Sequence, residues 1–501
     1  MPTLTRIFAP FPAVAAHRPW PRHVVDDACW RLLIARLAAG RVSLLGLWGD
    51  DGMVHMALLD AEPCAVVVAS LGCPGRRYPS VGRFHAPAIR FERTIHDLFG
   101  FIADGAADER PWLDHGRWRE TTPLGAKAPP PEIPSAYAFL TSEGEGLHQI
   151  PVGPVHAGII EPGHFRFTAS GETVVRLEER LGYAHKGVEA LMAGAAIDHA
   201  AKFAARLSGD STVACSLAFA NAVEAAVGAE APSRAKDLRG LMAELERVAN
   251  HLGDIGAICN DAAFALMLAN CSVLRERTLR ACAACFGHRL MMDAVIPGGV
   301  ATDLPEHGPV ILRGLVAEIR LALPQLVALY DNTASLQDRT VSTGIVKPEL
   351  ARRFACGGPV GRASGRDFDA RRDLVYPPYD QFRFGVPLQQ EGDVNARIWL
   401  RIREVEQSLS LIEQILLELP KGEIFAPLPG TSGEGLALVE GFRGDILAWA
   451  RIADGAVLRC HLRDPSWLQW PVLEAAISGN IVADFPLINK SFNCSYSGHD
   501  L

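Results

Sequence analysis

At 501 residues, 49% hydrophobic and 21% charged, the chain has the length and apolar content for a large core and more than one domain. A formal charge of −8 leaves no basic field with which to gather phosphates, which argues against a nucleic-acid partner. No stretch approaches the roughly 18 uninterrupted apolar residues of a membrane span, so any membrane contact would come through other subunits.

The N-terminal stretch Arg6 to Pro12 imitates a signal peptide, but Pro10 and Pro12 break its short apolar run, and it reads as mature sequence of a cytoplasmic protein. Residues 24 to 40 carry helical spacing. Three β-rich runs follow at 42–47, 53–58 and 65–68, separated by Gly-Asp and Glu-Pro turns, as in a small α/β domain. From about Ala103 to Gln149 the chain is rich in charge and then in proline, Pro129-Pro130-Pro131 with Pro134, a composition that stiffens a connection and resists packing. The expected organisation is an N-terminal domain over 1–120, a linker over 121–150 and a large domain over 151–501.

From Arg176 to about Arg339 the pattern is mainly helical. Leu241, Leu245, Val248, Leu252 and Ile255 form one apolar face, and Glu244, Arg247, His251 and Asp254 form a polar stripe beside it. Taken alone, that stripe is a solvated helix face with intrahelical ion pairs. Cys282 and Cys285, with His288 three residues on, suggest a metal site, but three-residue steps along one apolar helix face do not converge tetrahedrally, and buried cysteines are the expectation. A further helix is expected over 394–419. The Gly-rich loop 429–435 lacks the Gly-Lys-Ser/Thr ending of a phosphate cradle. The eleven cysteines are scattered among apolar residues, which suits a reducing compartment.

Tyr78-Pro79-Ser80 with Glu92-Arg93-Thr94-Ile95-His96-Asp97-Leu98-Phe99-Gly100 resembles the signature of the 30-kDa subunit of respiratory complex I. The segment Gly153 to Phe167 resembles the opening of the large subunit of membrane-bound, energy-converting nickel-iron hydrogenases, relatives of the complex I 49-kDa subunit. Glu244 to Ala257, Phe286-Gly287-His288-Arg289 and Pro297-Gly298-Gly299-Val300 continue that resemblance, which covers nearly the whole chain. It implies an α+β fold: a small α/β domain joined to a large domain with a helix-bundle core and short antiparallel strands. It also implies an iron-sulfur small subunit and membrane-embedded, ion-translocating subunits as partners, at the cytoplasmic side of the membrane. NADH or ferredoxin as donor and quinone as acceptor come with it.

In that family the nickel-iron centre is held by two Cys-x-x-Cys pairs, because soft thiolates suit and bridge these metals. The aligned positions here hold Ser208, Ser211, Ser495 and Gly498, so no nickel and no hydrogen chemistry are expected; Cys494 lies one residue from a ligand position. The chain ends directly after this motif, leaving no tail for the trimming that follows nickel insertion in relatives. A histidine and a tyrosine that hold the quinone head in complex I relatives align with Glu161 and Gly209. By the same resemblance Glu161 relays protons, and Arg206 and His251 lie beside the partner's terminal iron-sulfur cluster. His156, His164, Arg166, His185 and Glu189 sit in the matched region, with structural hydrogen bonding their default role.

Overall fold

The computed structural model describes residues 4–61, 64–127, 129, 136–156 and 160–501. The expected Glu-Pro turn at 62–63, most of the proline run and part of the Gly153–Phe167 motif lie outside the described residues.

Three apolar strands fold back on one another as Ser43–Asp50, Met53–Ala61 and Cys64–Gly72, and Arg22–Val25 adds in parallel to the last of them. The helix Asp27–Ala38 begins where the Asp26 carboxylate accepts from the Cys29 N–H, a side-chain cap on an otherwise unpaired donor. A second four-stranded sheet runs His17–Arg18, Gly433–Gly441, Gly444–Ala453 and Ala456–Arg463. The first strand of the chain thus pairs in parallel with one more than four hundred residues later, His17 opposite Glu434.

These two sheets share an apolar layer. Leu45, Trp48, Ala57, Val66 and Val68 of one meet Leu436, Leu438, Leu447 and Trp449 of the other, with the two indole rings 5.7 Å apart. A ring of this kind buries roughly 150–250 Å², which at about 25 cal/mol per Å² is on the order of 4–6 kcal/mol each. Arg22 to Glu434 and Arg451 to Asp50 close the same junction with ion pairs. The helix Thr212–Val227 is apolar all round and lies buried on the other side of the second sheet. A Cβ at Gly435 would sit 1.9 Å from the Ala222 carbonyl oxygen, so only glycine admits this approach.

A bundle of long helices, Ser233–Asp261, Ala265–Phe286, Gly308–Asp331 and Val394–Glu418, makes the body of the fold. A third, antiparallel sheet of Leu147–Val152, His164–Ser170 and Thr173–Arg180 flanks it. The architecture is α+β, as the sequence implied. Among the described residues no helix is long and apolar enough to cross a membrane.

Four expectations change. Arg176 lies on a strand, and the helices begin at Val188. Part of the charged 103–149 stretch packs tightly: Trp112 and Leu113 are buried, because the Asp97 carboxylate gathers the N–H groups of residues 112 to 114. The stripe Glu244, Arg247, His251 and Asp254 is buried, since partners far along the chain neutralise it. His288 lies beyond the end of its helix at Phe286 and accepts from the N–H groups of Leu290 and Met292. Cys282 and Cys285 are buried in the core as expected, and burial raises both thiols, that of Cys285 to about 11.

Candidate functional site

The loop before Thr212–Val227 and the C-terminal helix Tyr496–Asp500 bring Ser208, Ser211 and Ser495 to one place, with Gly498 held against Ser495. The Ser208 hydroxyl lies 2.9 Å from that of Ser495 and donates to Asp210 at 2.7 Å. Ser495 Oγ also accepts the Gly498 N–H at 2.9 Å, capping the last helix. Arg443, on the turn between two strands of the second sheet, reaches in from the other side. Its guanidinium pairs with both Asp210 oxygens, donates to Ser211 Oγ at 3.0 Å and to the Asn493 carbonyl. Burial raises the Asp210 carboxyl, but the Arg443 pair outweighs it and holds the group down to about 2.

The resulting donor set is three hydroxyls, two of them bonded to each other and Ser208 and Ser211 bonded to the Asp210–Arg443 ion pair, with no side chain at the fourth position. Such oxygens are hard and neutral at pH 7, so a nickel-iron centre built on four bridging thiolates does not fit these residues. Cys494 offers no replacement: its thiol is buried, directed at Gln469 Oε1, and raised well above the ordinary thiol range by burial, so it stays protonated. Among the described residues no group of three or more His, Cys, Asp and Glu side chains is arranged to hold a metal ion.

A second polar layer lies beneath. His251 is fully buried and its Nε2 meets Glu404 at 2.6 Å. Burial lowers His251, partly offset by Glu404, so it stands as a neutral imidazole. Burial would raise Glu404, but Arg362, His251 and Arg247 together hold it well below the usual carboxylate range. Arg362 also meets Glu440 and Asp369, and Arg371 joins Asp369 to Glu244, which accepts from Tyr379 and Ser408 as well. Arg247 connects this layer to the strand carrying Glu440 and Gly441 through their carbonyls, two residues from Arg443. Asp254 pairs with Arg401 and accepts from Asn493, which ties the layer to the C-terminal segment.

The remaining sequence candidates sit around this centre rather than inside it. Glu161 is exposed and not in a closed cavity; its carboxylate accepts from the Ser497 N–H at 3.1 Å, one residue from Gly498. Arg206 is at the surface in a two-pronged pair with Asp293, at 2.6 and 2.8 Å, apart from the buried His251. Glu189 is buried between Arg459 and His461; burial raises it, but the Arg459 guanidinium and the hydrogen bond to His461 pull it down to about 2. His185 Nδ1–H donates to the Asp500 carbonyl at 2.7 Å, and the ring stacks on Trp118. His164 lies near the Gly153 carbonyl, Arg166 stacks on Phe139, and half-buried His156 packs against Phe165 and Tyr496.

Asp210, Arg443, Glu404 and Lys186 are parts of this site that sequence reading passed over. Asp210 had a local signal, a carboxylate between two ligand-position serines. Arg443 and Glu404 had none, since their partners lie far along the chain.

A family model described as "Respiratory-chain NADH dehydrogenase, 49 Kd subunit" matches residues 254–432. Formate hydrogenlyase subunit 5 of Escherichia coli (strain K12) is 31% identical over 438 residues, 84% of this chain and 77% of the relative. The chain belongs to the family of complex I 49-kDa subunits and related hydrogenase large subunits. Hydrogenase-4 component G of the same organism is 30% identical over 458 residues, 89% of this chain and 80% of its own length. Among solved structures, a chain of the membrane-bound sulfane sulfur reductase, an archaeal respiratory membrane complex, superposes with a TM-score of 0.68 at 26% identity, covering 72% of this chain and all of that one.

Proposed function

We propose that this chain is the large peripheral subunit of a membrane-associated oxidoreductase complex of the complex I and energy-converting hydrogenase type, working without a nickel-iron centre. Electrons from NADH or ferredoxin reach it through an iron-sulfur cluster of a small partner subunit, beside Arg206 and His251. They pass to an acceptor other than hydrogen ions, with quinone the first candidate. Membrane-embedded partners at the cytoplasmic face couple the reaction to ion movement, and Glu161 supplies protons to the acceptor. The observation that supports this reading is that Ser208, Ser211, Ser495 and Gly498, the positions that the resemblance aligns with the metal ligands, come together in space with hydroxyls and a glycine in place of thiols.

The test is to purify the complex intact from its native membrane and quantify nickel, iron and extractable quinone per copy of this chain. Iron with quinone and without nickel is the expected result; nickel near one per chain would overturn it. A second reading, a catalytically silent scaffold, draws support from the same site, because Ser208 and Ser495 bond each other directly. Glu161→Gln separates the two: turnover is abolished if the chain takes part in the chemistry and survives if it is a scaffold.

A further inference from the structure

Away from the serines, a cleft of about 770 Å³ opens where the helix Ile89–Phe99, the segment 111–122 and the turn after the strand Thr173–Arg180 meet. That volume is in the range of small-molecule sites, which favour such junctions. Its floor holds Arg180, only 3% exposed, whose guanidinium donates to the carbonyls of Pro111, Trp112 and Asp114 and lies 4.3 Å from the Tyr137 ring centre. Those three bonds leave two of a guanidinium's five N–H groups. No carboxylate pairs with Arg180 among the described residues, and burial lowers the group to about 10. A buried cation without a counter-ion is costly, and an anion in the cleft would supply one.

The rest of the wall has matching chemistry. Arg117 is exposed at the rim and has no ion pair among the described residues. The cleft's two carboxylates are turned to the backbone: Asp97 accepts from the N–H groups of residues 112 to 114, and Asp114 accepts from that of Gly116. Trp118 and Tyr183 present flat, partly exposed rings, each braced by an imidazole: Trp118 stacks on His185 at 5.0 Å, and Tyr183 meets His115 edge-on at 4.5 Å. His115 Nε2–H donates to the Leu181 carbonyl at 2.9 Å; burial and then Arg180 lower this ring, so it is neutral and Nδ1 is left as an acceptor. His185 has its Nδ1–H on the Asp500 carbonyl, which leaves Nε2.

We propose that this cleft binds a small planar heteroaromatic molecule carrying a phosphate or carboxylate group, of which a nucleoside monophosphate is the pattern. Arg117 and Arg180 meet the anion, Trp118 and Tyr183 flank the ring, and the free nitrogens of His115 and His185 accept from its N–H groups. The proposal does not depend on which electron acceptor the complex uses. It reaches the aligned ligand positions all the same, because Gly182 and His185, on the cleft wall, hold Asp500 at the end of the helix that carries Gly498.

The test titrates adenosine monophosphate and flavin mononucleotide into the complex purified intact, by calorimetry. Saturable binding of at least one is expected, with a rise in Tm as ligand is added. Adenosine, riboflavin and inorganic phosphate, each lacking half of the pattern, should bind about tenfold or more weakly than the parent nucleotide. Arg117→Glu, at an exposed position, should weaken binding about tenfold or more by replacing a charge-assisted hydrogen bond with repulsion. Trp118→Leu should cost about tenfold through lost stacking. Absence of saturable binding by both nucleotides overturns the proposal, as does unchanged affinity in Arg117→Glu. Phosphate binding as tightly as the nucleotides would reduce the cleft to an anion site and refute the ring assignment. Protection of Trp118 and Tyr183 from oxidative labelling by a partner subunit, with no nucleotide bound, would make the cleft a protein interface and likewise refute it.

Discussion

Restoring the family's four thiols should fail at one position, and the reason can be worked from packing. A Cβ placed on Gly498 lies 2.8 Å from Asp464 Cγ and 2.9 Å from both Asp464 Oδ2 and Ser495 Oγ. None of these neighbours is the free end of a long side chain. Asp464 is fully buried and accepts from the Ser466 N–H, and Ser495 is tied to Ser208 and to the last helix. Overpacking of this kind costs roughly 1–3 kcal/mol. At about 2.1 cal/mol/K per residue, a chain of 501 residues has an unfolding entropy on the order of 1 kcal/mol/K, so Gly498→Ala should lower Tm by about 1–3 °C. Gly498→Cys should lower it further, and the variant with cysteine at all four positions should bind no stoichiometric nickel. Calorimetry and metal analysis on the purified complex check both. A Gly498→Ala protein melting at or above the wild-type temperature would refute the packing argument, and nickel near one per chain in the four-cysteine variant would show that the site still opens to metal.

Glu404→Leu strips the shared counter-charge from Arg362 and Arg247 and the hydrogen-bond partner from His251, and should cost about 3–5 kcal/mol; denaturant titration with no loss of stability would contradict the buried network. Trp449→Ala should destabilise by about 3–5 kcal/mol, and limited proteolysis should then cut within 43–72 before the helix bundle is attacked. His17 and His85 are buried and lowered to about 4, mainly by burial, so the unfolded chain takes up their protons first, from about pH 6.5 downward. Their stabilising effect is present above pH 6.5 and is lost as pH falls from there toward 4, so Tm should decline across that window and less steeply in His85→Leu. Glu189, held at about 2, resists protonation in the folded state in the same sense, but in a lower pH window. Its contribution is complete above its ordinary value near 4.5 and fades only as pH drops toward 2, so Glu189→Gln should lower Tm at pH 7 and leave it little changed at pH 2.

Much of the fold was legible because its signals are local. Alternating and continuous apolar runs gave three of the four strands of the first sheet, Arg22–Val25 being missed, and the 3.6-residue spacing of Leu241 to Ile255 gave the central helix. The polar stripe on that helix was misjudged for a physical reason. Glu244 and His251 look like surface residues until Arg371, Tyr379 and Glu404, more than a hundred positions away, close over them. The four positions that the resemblance aligned with metal ligands lie together in space, but the ion pair beside them had no sequence signal. Arg443 stands in an unremarkable turn between strands, and only the fold brings it to Asp210. Lys186 was hidden for the same reason, since the Leu207 and Ser497 carbonyls that hold it lie on other segments.

The pairing of His17 with Glu434 also sets a timetable. At a synthesis rate of about 5–20 residues per second, the strand that completes this edge emerges some tens of seconds after the one it must join. Through that interval the face carrying Leu45, Trp48 and Val68 has no partner, and it is a surface on which nascent chains stick to one another. Encoding both parts in one polypeptide keeps the waiting half at high local concentration when its partner arrives. Two separate chains would have to meet by diffusion, each shielded by a chaperone until they did.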